Sequence, residues 1–264
     1  MRRLLLILGI SLSVLPPLAS ALEIAYSQTN PFDRSQKYGG EAILLTGEIL
    51  PGDYERLLAL IGNDTDRFWR AVGFTLASPG GDIAEALKIA RLVKETYSMV
   101  FAGPVTGPCV SACFFIFAAA AFRDATVQSL GIHRPYVHPK RLASMSVGEA
   151  QTLQKDVLRR ARLYLEDLDV PTNLIDKMFQ RASTEVYWLT QNEIEDQLGR
   201  RPPWYEQFLI ARCGFNKSLE RQYFLTNDKK ILDQLTNINL CGVRLSRPDA
   251  RAFLESELKS SRSR

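Results

Sequence analysis

Histidine is scarce in this chain, and the patterns that mark membrane, repeat or nucleic-acid proteins are missing. Only His133 and His138 occur among 264 residues. Both stand in one short segment away from the four cysteines, which leaves a metal site little to draw on, so no metal is expected. The 33 basic and 29 acidic residues are interspersed rather than blocked. Without a basic stripe or a recognition motif, nucleic-acid binding is not expected. Phosphate-loop and dinucleotide fingerprints are absent, so no cofactor is expected either. There is no internal repeat of fixed period and no low-complexity tract. With 46% hydrophobic residues, 16 Gly and 13 Pro, the composition is that of an ordinary globular protein. That excludes disordered, collagen-like and disulfide-scaffold classes.

What is present begins with the N-terminus. Arg2 and Arg3 precede an apolar run from Leu4 to Leu15, Pro16-Pro17 breaks it, and Ala19-Ser20-Ala21 offers a small-x-small cleavage site. This is the layout of a secretory signal peptide over residues 1–21. Twelve residues are too few to span about 30 Å of hydrocarbon, so no stable membrane span is expected. Cleavage removes two arginines and lowers the formal net charge from +4 to +2. The expected location is therefore the periplasm or the exterior. In such a compartment cysteines can pair. Cys213 and Cys241 are expected to form a disulfide that staples a region poor in core residues. Cys109 and Cys113 flank Ser111 and either bridge or pack as small buried hydrophobes, the packed form being expected.

Apolar runs alternate with helical patterns along the rest of the chain. Residues 22–40 are polar and turn-rich and read as an exposed arm. Strands are expected at 42–45, 72–77, 99–102 and 125–132, and helices from Asp53, over 83–97 with Asp82 as cap, and over 111–122. A long amphipathic helix at 147–168, another at 171–181 and a short one at 191–198 follow. Strands alternating with helices predict an α/β fold with a parallel sheet over residues 41–200. Pro202-Pro203-Trp204 marks a boundary, and 201–264 form a small C-terminal extension with a helix near 247–258 and a basic tail.

Three segments place small or reactive residues just after an apolar strand, where α/β folds build their sites. Ser78-Pro79-Gly80-Gly81 is a turn whose paired glycines leave backbone N–H groups uncovered, which suits an oxyanion hole or a plain strand-to-helix turn. Ser111 lies at a helix start, where it can serve as an ordinary cap or, with a base, as a nucleophile. His133, in Gly131-Ile132-His133-Arg134-Pro135, is a candidate base.

In order and approximate spacing these segments resemble the Clp protease proteolytic subunit, within the wider Clp/crotonase fold group. That family has a Ser-Pro-Gly-Gly turn, a nucleophilic serine at a helix start and a histidine in an apolar-His-x-Pro context. The likeness extends to the 147–168 helix, similar to the family's handle helix, and to Trp188-Leu189-Thr190, similar to its Phe-Leu-Ser segment. With the signal peptide, the chain looks most like secreted or periplasmic members. The resemblance implies a repeated β-β-α spiral core with a handle helix. It implies Ser111 as nucleophile, His133 as general base, and an oxyanion hole from the Gly81 and Ala112 amides. Peptide or protein substrates and a homo-oligomer formed through 147–168 are implied as well.

Two departures stand out. Ser111 and His133 are 22 residues apart, a few fewer than in the family, which implies a trimmed loop. The family's acid position is occupied by Val186, so Glu185 becomes the candidate acid, with Thr184 as a weaker choice and a water or a backbone group as the alternative orienter of the imidazole. No lysine stands where a Ser-Lys mechanism needs one. The expected function is an exported serine peptidase. The alternatives are a catalytically inactive envelope binding or assembly protein and an esterase or thioesterase.

Overall fold

Short runs rich in apolar residues form the central strands of this structure, a computed structural model describing residues 21–27, 40–103, 107–137 and 139–263. Strands β1 (Glu23–Ser27) and β2 (Ala42–Thr46) precede helices α1 (Asp53–Asn63) and α2 (Thr65–Arg70), and β3 (Phe74–Ala77) leads to α3 (Ile83–Glu95). Next come β4 (Met99–Ala102), β5 (Cys109–Val110), α4 (Ala112–Ala118), β6 (Phe122–Ala125) and β7 (Leu130–Ile132). The larger sheet has the order β1-β2-β3-β4-β6; β1 is antiparallel to β2 and every other pairing is parallel. Its strands are apolar on both faces because helices cover both, and Ile43, Phe74, Leu76 and Val100 are fully buried.

A smaller layer lies just beyond the ends of these strands. β5 pairs parallel with β7, Val110 N–H donates to the Ser78 carbonyl at 2.9 Å, and Ile49 bridges Gly81. Each turn of the chain thus passes through a long strand, a short strand of the second layer and a helix. This is the repeated β-β-α core expected from the sequence, and the molecule is an α/β protein.

Helices α5 (Pro139–Leu142), α6 (Val147–Asp167) and α7 (Thr172–Gln180) follow, then β8 (Tyr187–Trp188) and a π-helical segment, Glu193–Leu198. α6 is the expected long helix, started by a Ser146–Glu149 capping box. β8 closes the small layer antiparallel to β7, with Ile132 opposite Tyr187 and Gly131 opposite Trp188.

Several boundaries differ from expectation. The helix expected over 111–122 stops at Ala118, because Phe122–Ala125 pairs with β4 instead. An all-apolar run does not itself distinguish a buried helix from a buried strand. The strand expected over 125–132 is divided by a turn at Thr126–Ser129, closed by the Ser129 amide on the Thr126 carbonyl at 3.2 Å. Of the arm expected at 22–40, residues 23–27 form a sheet strand and Leu22 is buried, while 28–39 lie outside the described residues. Beyond residue 200 there are three helices rather than one: α8 (Pro203–Cys213), α9 (Lys217–Thr226) and α10 (Lys229–Arg262), the last with Pro248 inside it. Mixed polarity concealed them, since α8 and α10 bury only narrow stripes and α9 has no buried residue. Cys213 and Cys241 are bridged, as expected, tying α8 to α10. Among the described residues no helix is long and apolar enough to cross a membrane.

One buried cation anchors the turn into β6. The Arg123 guanidinium, fully buried, donates to the backbone carbonyls of Ala118, Leu198 and Gly199. It thereby ties the end of α4 to the end of the π-helical segment. Arg123→Met fills similar volume but leaves three buried acceptors without that donor. It is expected to lower unfolding stability by about 2–4 kcal/mol, read as a reduced urea midpoint at unchanged slope.

Candidate active site

Ser111 is the single residue between β5 and α4, and its backbone is held where serine seldom sits, at φ 58° and ψ −122°. A serine that merely caps a helix has extended dihedrals and accepts a backbone N–H with its side chain. Ser111 does neither; its side chain makes no capping bond. Such a conformation costs about 1–3 kcal/mol and persists only where the surroundings over-determine it. Here the Ser111 amide donates to the Gly131 carbonyl at 3.0 Å and its carbonyl accepts from Phe114 N–H at 3.0 Å. The hydroxyl has no hydrogen-bond partner among the described residues.

The glycine turn explains how the neighbouring chain comes so near. Gly80 has φ 99°, and a Cβ there would lie 2.6 Å from Ser111 Cβ and 2.9 Å from Ala112 N. Gly81 has φ 143°, and a Cβ there would lie 2.1 Å from the Ile49 carbonyl oxygen. The ladder with Ile49 uses the Gly80 carbonyl and the Asp82 amide, both at 2.8 Å. The Gly81 N–H therefore faces the opposite side and has no hydrogen-bond partner among the described residues. Ala112 opens α4, so its amide has no intrahelical acceptor. After this turn Asp82 caps α3, accepting from Glu85 N–H at 2.9 Å, as expected.

His133 follows β7 directly and is 7% exposed. Its Nδ1 lies 3.0 Å from the Arg134 carbonyl oxygen. A carbonyl only accepts, so Nδ1 donates here and Nε2 is the nitrogen that can take up a proton. Arg134 is in turn pinned by its Nε–H donating to the Phe179 carbonyl at 2.8 Å. Ser111, His133, Gly81 and Ala112 line one cavity of about 10 Å³, together with Phe115 and Tyr136. That is room for about one water. No hydrogen bond joins Ser111 to His133 among the described residues; such bonds often tighten only when substrate binds.

Glu185, expected as the acid partner of the imidazole, does not meet it. Continuing the β7–β8 register by one residue sets Val186 opposite His133. Glu185 precedes β8, in a turn closed by its amide on the Ala182 carbonyl at 3.1 Å. It is exposed, and no side-chain bond or ion pair holds it among the described residues. The orienting group is the Arg134 backbone carbonyl, a feature that no side-chain pattern announces. His138 lies outside the described residues.

The cysteines around Ser111 also depart from expectation. Cys109 and Cys113 are bridged, with Cα atoms 5.3 Å apart and both side chains buried. The first turn of α4 brings Cys113 back over the end of β5. Equal spacing on either side of a residue at a strand-to-helix turn was the available signal. Among the described residues no group of three or more His, Cys, Asp and Glu side chains could hold a metal ion.

No protein-family model matches the chain, and a search among curated proteins finds no match. Solved structures with a similar shape include a membrane-bound stomatin-specific protease in mutant form, at 15% identity and TM-score 0.39, covering 58% of this chain and 72% of that one. ClpP1 from Listeria monocytogenes, also a mutant, matches at 21% identity and TM-score 0.39, over 61% of this chain and 88% of that one. A protein assigned as an enoyl-CoA hydratase from Streptomyces avermitilis matches at 13% identity and TM-score 0.36, over 92% of each chain.

The close approach at Gly80 leads to a sharp contrast between two glycines. Gly80→Ala is expected to cost about 2–4 kcal/mol, because the methyl meets backbone and the positive φ disfavours alanine. Gly148→Ala in α6 meets nothing within 4 Å and is expected to gain about 0.5–1 kcal/mol. Thermal unfolding of the two variants beside wild type checks both signs.

Proposed function

We propose that this chain is an exported serine-type peptidase, with Ser111 as nucleophile and His133 as general base. One juxtaposition carries the reading. A strained serine shares a small cavity with an oriented imidazole and two amides, the serine hydroxyl and both amides having no hydrogen-bond partner among the described residues. His133 Nε2 takes the hydroxyl proton as Ser111 Oγ attacks a peptide carbonyl carbon. The Gly81 and Ala112 N–H groups receive the negative charge that builds on the carbonyl oxygen, with the N-terminus of α4 adding to the field. His133 then gives the proton to the leaving amine. A water, deprotonated by His133 in its turn, hydrolyses the acyl-serine. The Arg134 carbonyl holds the Nδ1–H throughout, the task a carboxylate performs in other serine hydrolases. A substrate strand would lie extended beside the turn at residues 78–82, pairing with its backbone.

Other parts of the chain support the setting. Two buried or half-buried disulfides suit an oxidising compartment, in keeping with removal of residues 1–21 on export. A homo-oligomeric contact through α6 rests on the likeness of this helix to the handle helix of Clp-like subunits. The small cavity, and a backbone carbonyl rather than a carboxylate at His133 among the described residues, favour a second reading, a non-catalytic binding or assembly protein built on the same architecture.

Intact mass after fluorophosphonate treatment separates the two. The mature protein is expected to take one adduct at Ser111, none in Ser111→Ala, and to react about 10²–10⁴-fold more slowly in His133→Ala. Glu185→Gln is expected to react at the wild-type rate. A folded, oxidised wild type that takes no adduct would overturn the peptidase reading in favour of the binding protein. Turnover of peptides against esters then separates a peptidase from an esterase.

A further inference from the structure

We infer that the Cys109–Cys113 disulfide is a positioning device for the nucleophile, holding Ser111 in its reactive backbone conformation. This rests on Ser111 being the nucleophile. Ser111 is the midpoint of the closed loop, two residues from either cysteine. Cys109 is fixed in β5, its amide donating to the Ser129 carbonyl at 2.8 Å, and Cys113 belongs to the first turn of α4. The bridge therefore clamps the last strand residues to the helix start, with the serine at positive φ between them.

Without the clamp the chain has an easier conformation close by. An extended residue 111 would make Ser111 an ordinary N-cap, its hydroxyl turned to the amides of α4 and away from His133. An extended path through residue 111 lengthens the span from Cα109 to Cα113, which a disulfide restricts to about 4.4–6.8 Å; here it is 5.3 Å. The second disulfide has no such relation to the site, since it joins α8 to α10. Only the first bridge should therefore matter to reactivity.

The test compares wild type, the pair Cys109→Ala/Cys113→Ala, and the pair Cys213→Ala/Cys241→Ala as control. All are checked for folding by circular dichroism and treated with fluorophosphonate across pH. In Cys109→Ala/Cys113→Ala the maximal acylation rate is expected to fall about 10²-fold. The half-saturating concentration and the apparent pKa of the rate are expected to stay as in wild type. The control should match wild type. If Cys109→Ala/Cys113→Ala does not fold, the control protein is reduced with dithiothreitol instead. The dithiol closes to its cyclic disulfide as Cys109 and Cys113 become thiols, and the same fall is expected. A crystal structure of the bridgeless protein should show Ser111 φ moved to negative values. A bridgeless protein that acylates at the wild-type rate, or that keeps Ser111 at positive φ, overturns the inference. A wild type that takes no adduct overturns the peptidase reading instead, and the crystallographic φ then decides the positioning claim alone.

Discussion

Backbone meets backbone where the Gly80–Gly81 turn crosses the start of α4, and the arrangement of the site follows from that contact. Any side chain at Gly80 would collide with Ser111 and Ala112, and any at Gly81 with Ile49. The two glycines let the second layer close, from Ile49 through the turn to Val110 and Gly131. That closure packs Ser111 against fixed chain on either side. The same crowding keeps the Gly81 amide beside Ser111. The serine and the two amides that line its cavity are thus brought together by one packing event rather than separately.

The imidazole is held by weaker means. A carboxylate would fix the ring and favour its protonated form through a full negative charge; the Arg134 carbonyl offers a dipole. Geometry can be equivalent, because a 3.0 Å hydrogen bond selects the tautomer either way. Charge stabilisation cannot be, so an enzyme built this way should react more slowly than one with a carboxylate. Rigidity offsets part of that loss. Arg134 is itself tied to Phe179, and α7 carries Phe179 on a helix with buried Leu174, Ile175 and Met178.

The elements that bury apolar stripes were legible in the sequence: β2, β3, β4, α1, α3 and α6 fall close to where periodicity and capping put them. The strand–turn–helix positions of Gly81, Ser111 and His133 were legible too, because small and reactive residues after apolar runs signal them. What escaped is what depends on partners distant in the chain. β6 takes residues from an apolar run only because β4 offers an open edge, and β1 emerges from a polar segment only because β2 does. Glu185 was chosen by proximity in sequence, whereas the β7–β8 register sets Val186 opposite the imidazole. A backbone carbonyl acting as orienter leaves no trace in side-chain types.

The C-terminal helices pack back onto α1 and α3. α10 crosses back over the domain, burying Leu254 in the main core and setting Leu258 within 3.2 Å of where a Cβ on Gly62 would stand. Tyr54 of α1 donates to Glu257 at 2.5 Å, and Arg91 of α3 pairs with the same carboxylate at 3.3 Å. Burial, and then the bond to Glu257, push the Tyr54 phenol above the usual tyrosine range, so it remains a donor. The Tyr54 amide donates to Glu85 in the first turn of α3, and Glu85 donates its own amide to the Asp82 cap. A continuous set of bonds therefore runs from α10 through α1 to the residue that follows Gly81. The extension thereby braces α3, the helix that follows the glycine turn.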